Sequence, residues 1–108
     1  MNRLLSNLVM ALCLILPGAA AAQMSPSEQR GLTFVRANCS TCHATDKVSP
    51  SQLKIAPPFR ELHRRYPVES LQEALVEGIR TGHINMPEFR LDGGQASDVI
   101  AYLKYLER

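Results

Sequence analysis

Apolar residues fall along this chain in two different patterns. Leu4 to Leu16 is an almost unbroken apolar run. At roughly 13 residues it is short of the ~20 that a membrane-spanning helix needs. The amine and Arg3 precede it, Pro17-Gly18 breaks it, and the small residues Ala19 to Ala22 close it. That order is the order of a secretory signal peptide with an A-x-A-like site. Residues 1–22 are therefore expected to be cleaved after Ala22, leaving residues 23–108 as one exported, periplasmic domain. A retained N-terminal anchor is the alternative. Cys13 sits inside the run behind the bulky Leu12, which does not suit a lipid-modified cysteine, so it is expected to leave with the segment.

After residue 22 the apolar positions recur with helical spacing. Ser25-Pro26-Ser27-Glu28 reads as a capping box opening a helix, with Pro26 at its first position. Leu32 and Val35 mark its apolar side. Gly31 lies in mid-helix, which costs about 1 kcal/mol relative to Ala and points to another backbone approaching closely. Residues 44–58 read as loop, punctuated by Asp46, Ser49-Pro50-Ser51 and Pro57-Pro58. A short helix is predicted from near Pro67 to about Ile79, with Leu71, Ala74, Leu75 and Gly78 on one side. Residues 80–92 are irregular, with Gly82 and Pro87 as breakers. A last helix spans about Gln95 to Glu107, with Val99, Tyr102, Leu103 and Leu106 on one face. No strand pattern, internal repeat or linker appears.

Size sharpens the problem. About 86 residues remain after cleavage, and a domain that small is marginal without a staple. Of three cysteines only Cys39 and Cys42 persist, so the staple is a single disulfide, a metal or a bound cofactor. All ten carboxylates and eleven of the twelve Lys and Arg lie beyond residue 22, a net charge near +1. That balance makes no electrostatic case for nucleic acid. No second long apolar run predicts a membrane span in the mature chain.

Cys39-Ser40-Thr41-Cys42-His43 carries the chemistry. C-x-x-C-H is the attachment signature of c-type haem. Two thiols at this spacing reach the two vinyl groups on one porphyrin edge, and the adjacent histidine can place Nε2 on the iron. Covalent attachment then keeps the cofactor in a compartment without a haem pool. Three other readings remain open at this point. A thioredoxin-like pair wants a βαβ context. A structural zinc site wants further ligands at paired spacing, whereas His63 and His83 are isolated. A plain stabilising disulfide is the third.

With these residues in view, the mature chain resembles the small bacterial class I cytochromes c, in which the haem motif follows the first helix. The resemblance implies an all-α fold, three to four helices around one covalently attached haem c. It implies a sixth iron ligand from a loop before the last helix. Gly82-His83-Ile84-Asn85-Met86-Pro87 matches that landmark, with Met86 43 residues after His43. The metal ligands are thus expected to be His43 and Met86, a neutral thioether opposite imidazole that raises the potential. His83 is the rival ligand, and a core methionine the plain alternative for Met86.

The family supplies a proline carbonyl to the proximal histidine from a Gly-Pro-x-Leu segment. Ala56-Pro57-Pro58-Phe59 resembles it, which makes Pro57 the acceptor and Phe59, with Leu62, part of the pocket. Ala56 and Phe59 depart from the family glycine and leucine. Gly31, eight residues before Cys39, and Tyr102 match the family's crossing of first and last helices; Val35, with Phe34 beside it, stands where relatives often have phenylalanine. Arg65 by position, and Tyr66, are candidates for a haem propionate, with Arg60 and Arg64 in the same stretch.

The resemblance implies an electron carrier, not an enzyme: both axial positions are filled by protein, leaving no place for substrate. The expected partners are redox proteins met transiently by a monomer. A dedicated subunit of an oxidase or dehydrogenase complex is the second reading, and a small enzyme or gas sensor with an open iron the third.

Overall fold

The computed structural model describes residues 23–79 and 86–108. The expected signal peptide with Cys13 lies outside them, as do Gly82, His83, Ile84 and Asn85 of the expected ligand loop. The described residues form three α-helices and two short 3₁₀ turns, with no strand among them. Helix α1 spans Pro26–Asn38. It opens on the expected capping box: Ser25 Oγ accepts from the Glu28 amide and Glu28 Oε2 from the Ser25 amide. A 3₁₀ turn over Phe59–Arg64 follows the long loop. The spacing of apolar residues did not predict it, because six residues hold too few apolar positions to display a period.

The expected helix at 67–79 is shorter than its pattern. A 3₁₀ turn at Val68–Ser70 leads into α2, Leu71–Glu77, and Gly78 ends it. Helix α3, Gly93–Tyr105, starts two residues earlier than expected. Asp92 caps the Gln95 amide while Gln95 Oε1 accepts from the Asp92 amide, so Gln95 is the third residue of a second capping box and not the start.

Helices α1 and α3 cross at Gly31. A Cβ there would overlap the Asp98 carbonyl and lie 2.8 Å from Tyr102 Cβ. Polar pairs lock the same crossing. Arg30 grips Asp98 through two nitrogens at 2.8 and 3.0 Å, and Ser27 Oγ donates to Asp98 Oδ1 at 2.7 Å. These donors hold the Asp98 carboxyl below its usual range. The expected face of α3 is the one buried: Val99, Tyr102, Leu103 and Leu106, extended by Ala96 and Ile100. Val35, with no exposed surface, packs into that core with Leu62, Val68, Leu75 and Leu91. Helix α2 is tied to α3 by Gln72–Ser97, and the 3₁₀ turn before it by Lys104–Glu69 at 2.8 Å. Among the described residues no helix is long and apolar enough to cross a membrane.

The Gly31 contact is with backbone, which cannot rotate aside. Gly31→Ala is therefore expected to cost about 3 kcal/mol, at the upper end of overpacking penalties. In a domain of this size that lowers Tm by roughly 12–24 °C. Thermal unfolding of the haem-loaded protein checks it, with Gly93→Ala, whose methyl meets nothing within 4 Å, as the unaffected control.

Candidate functional site

Helix α1 stops where the motif begins. The Cys39 amide still bonds to Val35 O, and the Cys39 carbonyl then accepts from both the Cys42 and His43 amides, at 3.2 and 3.0 Å. The backbone thus winds Cys39, Cys42 and His43 into one tight turn on the end of the helix. Both thiols are free and half-buried. Burial pushes the Cys39 thiol up to about 11, so the free thiol is protonated at neutral pH.

The loop that follows is folded back onto this turn. Leu53 N donates to Cys42 O at 3.0 Å, Phe59 N to Ala44 O at 2.9 Å, and Ala44 N to Ser51 Oγ at 2.9 Å. Asp46 braces the loop from within. Its carboxylate accepts from the Ser49 hydroxyl and from the Ser49 and Val48 amides. These bonds, with Arg60 nearby, lower its pKa to about 2. Arg60 Nη1 donates to Ser49 O at 2.6 Å, so this arginine serves the loop. Tyr102 donates its hydroxyl to Thr45 O and fastens the loop to α3.

The loop delivers Pro57 to the histidine. His43 Nδ1 and Pro57 O are 2.8 Å apart, and only the protonated nitrogen can donate there. In the neutral ring that leaves Nε2 with the lone pair, the arrangement a metal-binding histidine requires. The Phe59 ring lies 4.8 Å from the imidazole, centroid to centroid, and flanks it.

His43 opens onto a cleft with two lobes, cavities of about 280 and about 300 Å³. Both are lined by Cys39, His43, Phe59, Met86 and Phe89, so they are parts of one space. Thr41, Cys42, Leu53 and Ile55 wall the first lobe, and Phe34, Leu62, Leu75 and Leu103 the second. The walls are largely apolar, and they include two thiols, an imidazole and a thioether. That donor set fits a covalently held haem. Among the described residues no three His, Cys, Asp or Glu come together as a zinc site would require.

The cleft collects Cys39, Cys42, His43, Met86, Pro57 and Phe59. His63 is exposed, and His83 lies outside the described residues. Of the arginines, Arg64 reaches toward Glu61 at 3.9 Å. Arg65 and Tyr66 line the second lobe, where Arg65 is the one Lys, Arg, Asp or Glu among the described lining residues. Phe34 and Val35 both line the second lobe, and Val35 is also fully buried in the core. Among the wall residues that escaped the sequence reading are Leu53, Ile55 and Phe89. Ile55 is 60% exposed; nothing in a loop without periodicity marks which side chain will face a cofactor.

Such a fold, with a C-x-x-C-H turn opening on an apolar cleft, defines a c-type cytochrome. The family model for cytochrome c oxidase, cbb3-type, subunit III matches residues 26–103, and the chain belongs to that family of cytochrome c domains. Neither a curated protein nor a solved structure gives a significant match. The family carries haem c and works in electron transport, and Cys39 and Cys42 have the spacing of its covalent attachment pair.

The Asp46 brace has a pH signature. Its pKa is depressed in the fold from an ordinary 3.8 to about 2. Its contribution is present in full above 3.8 and is lost as pH falls toward 2. Asp46→Asn is expected to lower Tm at neutral pH, with the gap to the unmodified protein closing between pH 4 and 2. Thermal melts across that range check it; a constant gap would contradict it.

Proposed function

We propose that the chain is an exported electron carrier, cycling one haem c between two redox states in the periplasm after removal of residues 1–22. Haem, once bound, supplies a one-electron ferrous–ferric couple at an exposed ring edge. The residues of this chain supply everything else. Cys39 and Cys42 form the two thioethers. His43 Nε2 and Met86 Sδ would hold the iron. The Pro57 carbonyl fixes the histidine's tautomer and orientation, and Phe59 limits its rotation. Arg65, with Tyr66, meets a propionate, since burying that carboxylate without a partner is costly.

The observation that carries this reading is the shared cleft: Met86 lies in the same walls as both thiols and His43, although 43 residues of sequence separate it from the histidine. With His43 and Met86 holding the iron, no position on it would be open to substrate, and no catalytic activity is expected. Fixed ligands and two covalent bonds keep reorganisation small, which suits transfer during brief encounters with redox partners by a monomer.

One observation favours a second reading. The family takes its description from a subunit of an oxidase, so the chain is alternatively a dedicated subunit of such a complex. Purification from a haem-c-competent periplasm separates the two: a stable companion protein supports the subunit, and a lone cytochrome the carrier.

The ligand assignment is tested by oxidised and reduced optical spectra. The unmodified protein is expected to give a c-type reduced spectrum and the weak near-infrared sulfur-to-iron band when oxidised. Met86→Leu should abolish that band, let the ferrous protein bind carbon monoxide, and lower the potential by on the order of 100 mV. Carbon monoxide binding by the unmodified protein at neutral pH would instead support a sensor or enzyme. A colourless protein with Cys39 and Cys42 in a disulfide would end the cytochrome reading.

A further inference from the structure

The segment that bears Met86 leaves α2 at Gly78 and returns at Phe89. Its two ends are fastened by two backbone hydrogen bonds. Ile79 N donates to Phe89 O at 3.3 Å, and Leu91 N donates to Leu75 O at 2.8 Å. Gly78 makes this departure possible. Its φ of 106° and ψ of 103° lie where residues with a side chain are strained. No other described residue has a positive φ. The Gly78 amide still closes on Ala74 O at 2.9 Å, so the chain turns sharply without orphaning a donor.

The returning chain also uses the space of the missing side chain. A Cβ on Gly78 would collide with Glu88 Oε1 and sit 3.0 Å from Arg90 Nε. Glu88 and Arg90 are themselves paired at 3.4 Å across that spot. Ile79 and Phe89, the residues joined at the neck, both line the cleft beside Met86. The geometry of the turn and the wall around the methionine are thus one construction.

We propose that this neck, set by Gly78, is what keeps Met86 at its axial position, making Gly78 a positioning residue for the sixth ligand. The inference rests on the assignment of Met86 made above. A thioether is a neutral and weak donor. Its hold on an axial position therefore depends on how strongly the chain concentrates it there. A side chain at position 78 drives φ out of the positive region, turns Ile79 away and opens both neck bonds. Met86 then spends more time off the iron, and a competing ligand binds in proportion to that open fraction.

The test uses the haem-loaded protein, with Gly78→Ala beside Gly93→Ala as control, titrated with imidazole while the near-infrared band is followed. Gly78→Ala is expected to bind imidazole at least about tenfold more tightly. Its reduction potential falls, while the c-type reduced spectrum and far-UV helix content stay as they were. Gly93→Ala titrates like the unmodified protein. Unchanged imidazole affinity and potential in Gly78→Ala would overturn the inference.

A second measurement needs no variant. In the unmodified protein the Ile79 and Leu91 amides are expected to exchange slowly with solvent and to lose that protection when imidazole saturates the iron. Protection that survives displacement of Met86 would overturn the neck as the holding device, even if Gly78→Ala fails to fold. A wild-type protein lacking the sulfur-to-iron band would overturn the Met86 assignment itself, and this inference with it; a band present but insensitive to Gly78 would overturn the inference alone.

Discussion

The contact of α1 and α3 at Gly31 governs the geometry of everything that follows it. The helices approach until the Asp98 carbonyl occupies the space of a side chain, and Arg30 and Ser27 fix that approach by holding the Asp98 carboxylate. Gly31 stands eight residues, about two turns, before Cys39. Once the crossing is set, the end of α1 has no freedom left. The motif begins at that end, so the direction in which both thiols and His43 leave the helix is decided by a glycine far from the cleft.

A domain of this size would bury little apolar surface by itself. Its core is small, and beside it lies an apolar cleft that side chains do not fill. The cofactor of its family supplies the missing core, and the covalent bonds keep it there. This explains why so much of the chain is irregular. Residues 44–58 do not pack as a helix or strand; they are held by Asp46, Ser51, Arg60 and the Tyr102 hydroxyl so that one carbonyl, that of Pro57, reaches the histidine ring. After α2, backbone bonds join Ile79 to Phe89 and Leu91 to Leu75, and Met86 lines the same cleft as His43.

Much of this could be read from the residues because the signals are local. The capping box at Ser25 and Glu28 is a chemical pattern confined to four residues, and it gave the start of α1 correctly. The stripe of Val99, Tyr102, Leu103 and Leu106 repeats with the helical period, so the buried face of α3 was legible although its first turn was not. That turn is made of two glycines capped by Asp92, and residues without apolar side chains leave no trace in a periodicity. The 3₁₀ turn at Phe59–Arg64 was missed for a related reason, being too short to show a period. Leu53, Ile55 and Phe89 were missed as wall residues because loop side chains acquire a direction only from the hydrogen bonds that fold the loop.

The sequence by itself determined the helical fold class, the order of its helices, the identity of the attachment motif and the candidates for the iron's two ligands. These follow from spacing within a few residues, or from a resemblance that such spacing makes specific. Tertiary structure decided what depends on distance through space. It brought Met86 to the walls that hold His43, chose Arg65 over Arg60 for the cleft, buried Val35 beneath Phe34's lobe of that cleft, and joined Ile79 to Phe89 beyond Gly78. None of these could be fixed along the chain, because each depends on which surfaces meet when the helices cross, and that is settled by packing.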